Sequence, residues 1–182
     1  MEKYILSPFS GGAMHEFQID AADKASLYNE LIEAADAMTA GEPDPIANMA
    51  NVAALLFEAL PDVNWAGFYR NVGDELVLGP FQGRPACIRI PFGQGVCGVA
   101  AASLAPQLVA DVRAFPGHIA CDAASRAELV VPILDGDALV GVLDIDSPSP
   151  GRFDDEDLAG CVKLIQRIGA RLGGMAKGFP QR

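Results

Sequence analysis

AELVVPILDGDALVGVLDID, Ala127 to Asp146, is the stretch that decides how this chain folds. Two apolar runs rich in β-branched residues flank Asp135-Gly136-Asp137, and an Asp-Gly dipeptide between such runs is a strong hairpin signal. The two runs are read as antiparallel strands. Side chains alternate along a strand, so Asp144 and Asp146 share one face while Leu143 and Ile145 share the other. If Asp135 to Asp137 form a three-residue loop, Leu134 faces Ala138 and Glu128 stands opposite Asp144. A two-residue Asp135-Gly136 turn would pair Glu128 with Leu143 instead, because a one-residue slip sends every side chain to the opposite face. In the first register three acids converge. Such a cluster costs stability unless a cation or protons relieve it, and at least one carboxyl pKa must then rise.

Working outward from the hairpin, NWAGFYRNV, ELVLGPF and CIRIPF read as further short strands, separated by turn residues such as Asn71, Gly73 and Asp74. Ahead of them lie two helical stretches. Residues 24 to 38 place Leu27, Leu31, Ala34, Ala35 and Met38 at helical spacing, and Gly41 with Pro43 stops the pattern. Residues 45 to 60 carry Ile46, Met49, Val52, Ala53, Leu56 and Leu60, and end before Pro61, which disfavours helical geometry in the residue ahead of it. After the hairpin, Asp154 is a suitable N-cap, and Asp155, Glu156 and Asp157 fall in a first turn where the helix dipole favours negative charge. The apolar stripe of that last helix is Leu158, Cys161, Val162, Ile165, Ile168 and Leu172, which makes Cys161 a small core residue. Helices at both ends of an antiparallel sheet predict an α+β layer fold of one domain. The expected divisions are an N-terminal extension over 1–23, the domain over 24–172 and a C-terminal tail over 173–182.

Composition narrows the function classes. The chain has 182 residues and a formal charge of −11, from 24 acids against 13 bases. That charge offers no basic footprint for nucleic acid or for anionic lipid. No segment approaches the roughly 20 apolar residues that span a bilayer, and MEKYILSPFSGGAMHEFQID lacks the apolar core of a signal peptide. The expectation is a soluble cytoplasmic protein with neither nucleic-acid nor membrane partners. Four cysteines are too sparse for a secreted disulfide scaffold, so thiols are expected and any disulfide is transient.

Two further groupings carry candidate chemistry. On NWAGFYR, strand alternation puts Trp65, Gly67 and Tyr69 on one face, with the glycine leaving a slot for a small ligand between two aromatics; the plainer alternative is that Trp65 anchors the core under the helices. The second grouping is thiol: Cys87 at the start of a strand, Cys97 in GQGVCGVAA and Cys121 in PGHIACD. Gly93 and Gly95 precede a small-residue helix, so Cys97 sits near a helix N-terminus, where the dipole stabilises a thiolate. His118, three residues before Cys121, is placed to help ionise that thiol or simply to hydrogen-bond within its loop. Cys87, Cys97, His118 and Cys121 do not match a structural zinc site, because the intervals of nine, twenty and two residues differ from paired C-x₂₋₄-C knuckles. No metal is expected.

Together, NWAGFY, GQGVCGVAA, HIACDAASRAELVVPI and GVLDIDSP followed by FDDED resemble the free methionine-(R)-sulfoxide reductases, enzymes built on a single GAF domain. The resemblance covers roughly residues 25 to 172, with the motifs in family order. It implies that Cys121 is the attacking thiol and that Cys97 and Cys87 are the candidates to resolve the oxidised intermediate, with the order of Cys97 and Cys121 open to reversal. It implies further that Trp65 and Tyr69 are pocket aromatics, that Glu128, Asp144 and Asp146 bind substrate, with Asp144 or Glu128 as the acid, and that the backbone at Ile119 and Ala120 holds the substrate carboxylate. The implied reaction reduces free methionine-(R)-sulfoxide through a cysteine sulfenic acid and a disulfide, with thioredoxin or a similar dithiol as reductant and no bound cofactor. A homodimer through the terminal helices is implied at the same level. The competing class is a GAF sensor that binds a small molecule without chemistry, for which three thiols have no evident use.

Overall fold

The computed structural model describes residue 19, residues 21–117 and residues 123–173. Helix α1 spans Lys24–Thr39, and the Asp23 side chain caps it by accepting the Ser26 N–H at 2.8 Å. Helix α2 spans Pro45–Ala59, with Asp44 as its cap and Pro45 in the first turn, where a missing N–H costs nothing. Then follow β1 (Trp65–Asn71), β2 (Glu75–Gly83), β3 (Arg89–Pro91), α3 (Gly95–Ser103), β4 (Gln107–Val109), β5 (Ala127–Asp135), β6 (Ala138–Ser147) and α4 (Asp155–Ile168). The helices and the strands of the hairpin lie where the periodicity predicts them. Strand β4 was not anticipated, since three residues are too few to show an alternation.

The six strands form one antiparallel sheet in the order β3-β2-β1-β6-β5-β4. The meander β1-β2-β3 and the hairpin β5-β6 are thus joined through β1 against β6. Alternation then builds two cores. Ala66 and Phe68 of β1, Leu129, Val131 and Ile133 of β5, and Leu143 and Ile145 of β6 face α1, α2 and α4. Trp65, Tyr69, Val130 and Val142 face the other way, against Val96, Cys97, Ala100 and Ala101 of α3. Each fully buried large apolar side chain on either face contributes about 1.5–3 kcal/mol of transfer free energy. Trp65 therefore does not anchor the core under the terminal helices. It belongs to the smaller core beneath α3.

The hairpin differs from the expected three-residue loop. Asp135 pairs with Ala138 across Gly136-Asp137, with Gly136 at φ +60°, the geometry a two-residue turn with glycine first requires. Carried through without interruption, that turn would set Glu128 opposite Ile145 and send it into the helix-side core. A β-bulge prevents this: Leu134 pairs with Leu139 but Ile133 pairs with Gly141, leaving Val140 as an extra residue. Glu128 consequently pairs with Asp146, not with Asp144 as the three-residue loop predicts, and Val130 faces Asp144. The convergence of acids survives by a different route. At the bulge, β1 and β6 approach so closely that a Cβ on Gly141 would run into the Tyr69 carbonyl oxygen.

Helix α4 begins with the expected cap, elaborated into a capping box between Asp154 and Asp157. Asp157 is fully buried and accepts from Tyr28 Oη at 2.9 Å, Lys24 Nζ at 2.7 Å and Arg152 Nη1 at 3.2 Å, tying α4 to α1. Cys161 is buried in the same core, as the stripe predicts. Among the described residues no helix is long and apolar enough to cross a membrane.

Candidate active site

The polar end of the sheet's α3 side is built from three strands. Trp65 pairs with Asp146 and Gly67 with Asp144 across β1 and β6, and Glu128 pairs with Asp146 across β5 and β6. All of these positions lie on one face, so Glu128, Asp144 and Asp146 come together beside Trp65. Glu128 and Asp144 retain only 8% and 6% of their exposure. Helix α3 lays Cys97 over them. Its Sγ is 3.7 Å from Glu128 Oε1, and donor atoms of Cys97, Glu128 and Asp144 all lie within 4.8 Å of one another.

Two buried carboxyls this close cannot both hold a charge comfortably. Burial pushes the Glu128 carboxyl well above its usual range, and the neighbouring Asp144 and Asp146 add to the effect. Burial also raises Asp144 to about 7, against the opposing pull of hydrogen bonds from Cys97 and the Ile145 N–H. One oxygen, Asp144 Oδ1, is buried with no hydrogen-bond partner. A buried acceptor left unsatisfied costs about 1–3 kcal/mol and marks a place for a donor to arrive. The Cys97 thiol is pushed up as well, first by burial and then by Asp144 and Glu128. This overturns the expectation of a thiolate stabilised by the helix dipole: the acids beneath Cys97 and the loss of water outweigh the few tenths to one kcal/mol a helix end supplies.

The aromatic wall also differs from the slot expected at Gly67. A Cβ there would sit 2.7 Å from Trp65 Cη2 and would run into Phe81. The glycine makes room for the Trp65 ring itself, which stacks between Phe81 at 5.3 Å and Tyr69 at 5.9 Å. The polar tips of this stack do a job the sequence did not reveal. Trp65 Nε1–H donates to the Arg84 carbonyl at 3.1 Å, and the Tyr69 hydroxyl donates to the Cys87 carbonyl at 3.1 Å. The two aromatics thereby pin the segment that carries Cys87 to the site.

The thiols separate into distinct states. Cys87 is disulfide-bonded, while Cys97 and Cys161 are free and buried. Cys97 turns to the carboxyls, and the set with metal-ligand proximity among the described residues is Cys97, Glu128 and Asp144. Cys121, His118, Ile119 and Ala120 lie outside the described residues.

Comparison with known proteins follows this geometry. The GAF domain family model matches residues 44–173. Free methionine-R-sulfoxide reductase of Escherichia coli (strain K12) is 51% identical over 146 residues, spanning 80% of this chain and 88% of that protein. Protein YtsP of Bacillus subtilis (strain 168) is 55% identical, over 79% of this chain and 90% of its own. The X-ray structure of free methionine-R-sulfoxide reductase from Neisseria meningitidis in complex with its substrate superposes with a TM-score of 0.84 at 45% identity, covering 87% of this chain and 96% of that one. A buried thiol and two raised carboxyls beside an aromatic stack thus sit on a shared fold at close sequence identity, and the chain belongs to the GAF-domain family of free methionine-(R)-sulfoxide reductases.

Proposed function

We propose that this protein reduces free methionine-(R)-sulfoxide to methionine, with the oxidising equivalents leaving through a cysteine disulfide. The observation that carries the reading is the pair of buried carboxyls, Glu128 and Asp144, with Asp144 Oδ1 unpartnered beside the Trp65–Tyr69 stack. A thiol attacking a sulfoxide sulfur needs a proton delivered to the oxygen, and a carboxyl with its pKa near 7 can supply one at neutral pH. The remaining negative charge in the trio suits the ammonium group of a free amino acid, and Trp65 suits its methyl end. A peptide-linked methionine sulfoxide has no free ammonium to place there.

Cys121 is assigned the attack. Its sulfur takes the oxygen and becomes a sulfenic acid, releasing the thioether; a second thiol then displaces water to give a disulfide. Cys87 is assigned that second role, because it is the disulfide-bonded cysteine among the described residues and its backbone is held to the pocket by Tyr69. Cys97 is unsuited to either step, being buried and kept protonated by its acidic neighbours, and serves instead to hydrogen-bond the carboxyls. A dithiol such as thioredoxin returns the disulfide to two thiols. The catalytic unit is the domain over 24–172.

The test is a thioredoxin-coupled assay offering the free R epimer, the free S epimer and a methionine-sulfoxide peptide. Methionine release from the R epimer alone is expected, and Cys121→Ser should abolish it while leaving the fold intact. Binding of the R epimer without any turnover would instead identify a sensor.

A further inference from the structure

Ile88 follows the disulfide-bonded Cys87 directly and is 71% exposed, while the next most exposed large apolar side chain among the described residues, Leu104, reaches 44%. The backbone around it is fixed at three points: Trp65 holds the Arg84 carbonyl, Tyr69 holds the Cys87 carbonyl, and the Leu78 N–H holds the Ile88 carbonyl at 2.9 Å. The side chain is therefore displayed on an ordered frame instead of a loose loop. It stands immediately before β3, an edge strand of the sheet, with Arg84 and Pro85 also exposed nearby. An isoleucine held rigidly in water gains nothing for the fold. It is well placed to be covered by whatever reaches Cys87.

We propose that Ile88 and the exposed 84–88 segment form the docking surface for a dithiol protein reductant, which attacks the sulfur of Cys87. This rests on the reductase reading above. One thiolate of the donor bonds to Cys87 Sγ as the Cys87 disulfide breaks, and the displaced Cys121 leaves as a thiolate ready for the next sulfoxide. The donor's second thiol then attacks its own sulfur in the mixed disulfide, releasing Cys87 as a thiol. The donor ends as a disulfide and the enzyme as two thiols, so two electrons and two protons have passed.

The experiment compares wild type with Ile88→Glu, using thioredoxin with its reductase and NADPH in one arm and dithiothreitol in the other. Expected is a loss of about tenfold in kcat/KM for thioredoxin, the scale of losing one interface anchor, with turnover on dithiothreitol unchanged. An equal loss in both arms, or none in either, overturns the docking surface, as does a change of oligomeric state caused by the substitution. A thioredoxin variant keeping only its attacking cysteine should be trapped on the Cys87 peptide by mass spectrometry; trapping on Cys121 overturns the assigned point of attack. Wild-type protein that fails to turn over free methionine-(R)-sulfoxide with either donor refutes the reductase reading itself, a result distinct from these.

Discussion

Asp144 sits where function and stability conflict. In the free protein its carboxyl is buried, unpartnered at Oδ1 and raised from 3.8 to about 7. Between those values the folded protein binds a proton that the unfolded chain has lost, so stability is fullest below about pH 4 and falls as pH rises to about 7. Removing the charge should therefore help the fold. We predict that Asp144→Asn stabilises the fold at pH 8, seen as a higher melting temperature, and changes it little at pH 4. The same variant should lose methionine production by about 10²-fold or more, because an amide cannot deliver the proton. Calorimetry at the two pH values checks the first half, and equal shifts at both would remove the link between burial and proton uptake. Cys97 illustrates the same physics: its place at a helix start suggested an ionised thiol, but burial first, and then the two carboxyls underneath it, decide otherwise.

At the scale of elements, the hairpin β5-β6 places its acids by a bulge. A two-residue turn alone gives the wrong parity, and the extra residue Val140 restores it, leaving Glu128 against Asp146. The bulge brings Gly141 against the Tyr69 carbonyl of β1, a contact between backbones that cannot relax by rotating a side chain. Gly141→Ala should cost about 1–3 kcal/mol, seen as a lower urea midpoint, and should lower activity by moving β6 relative to the aromatic stack. An unchanged midpoint would mean that the strands part freely there. The stack shows a comparable dependence on a glycine: Trp65 lies across Gly67, so the residue that looked like a vacancy for ligand is the seat of the tryptophan.

For the whole molecule, the sheet keeps its two faces apart in purpose. The face under α1, α2 and α4 is apolar and closed by one buried charge cluster, whereas the face under α3 carries the carboxyls, the aromatics and Cys97. Asp157 closes the first face by answering Lys24, Arg152 and Tyr28 together. Asp157→Ala removes the buried acceptor of the Tyr28 hydroxyl and Arg152 Nη1, leaving Lys24 with Asp154 and Arg152 with the Pro61 carbonyl, and should cost about 3–5 kcal/mol in a urea titration, with Tyr28→Phe costing about 1 kcal/mol. A loss below 1 kcal/mol for Asp157→Ala would show that water replaces the carboxylate. Much of this was legible in the sequence. The helices, the main strands, the α4 cap, the buried Cys161, the sharing of one face by Trp65 and Tyr69 and the sharing of one face by Asp144 and Asp146 follow from local periodicity and capping, which the chain carries within a few residues. Strand β4, the buried role of Asp157, the seat of Trp65 over Gly67 and the protonated state of Cys97 were not, because each depends on groups distant in sequence. The partner of Glu128 belongs with them: the sequence determined that Asp144 and Asp146 share one face of their strand and that Trp65 and Tyr69 share one face of theirs, and only the tertiary structure decided, through one extra residue in β6 and the pairing of β6 with β1, which acids meet and that they meet beside the aromatics.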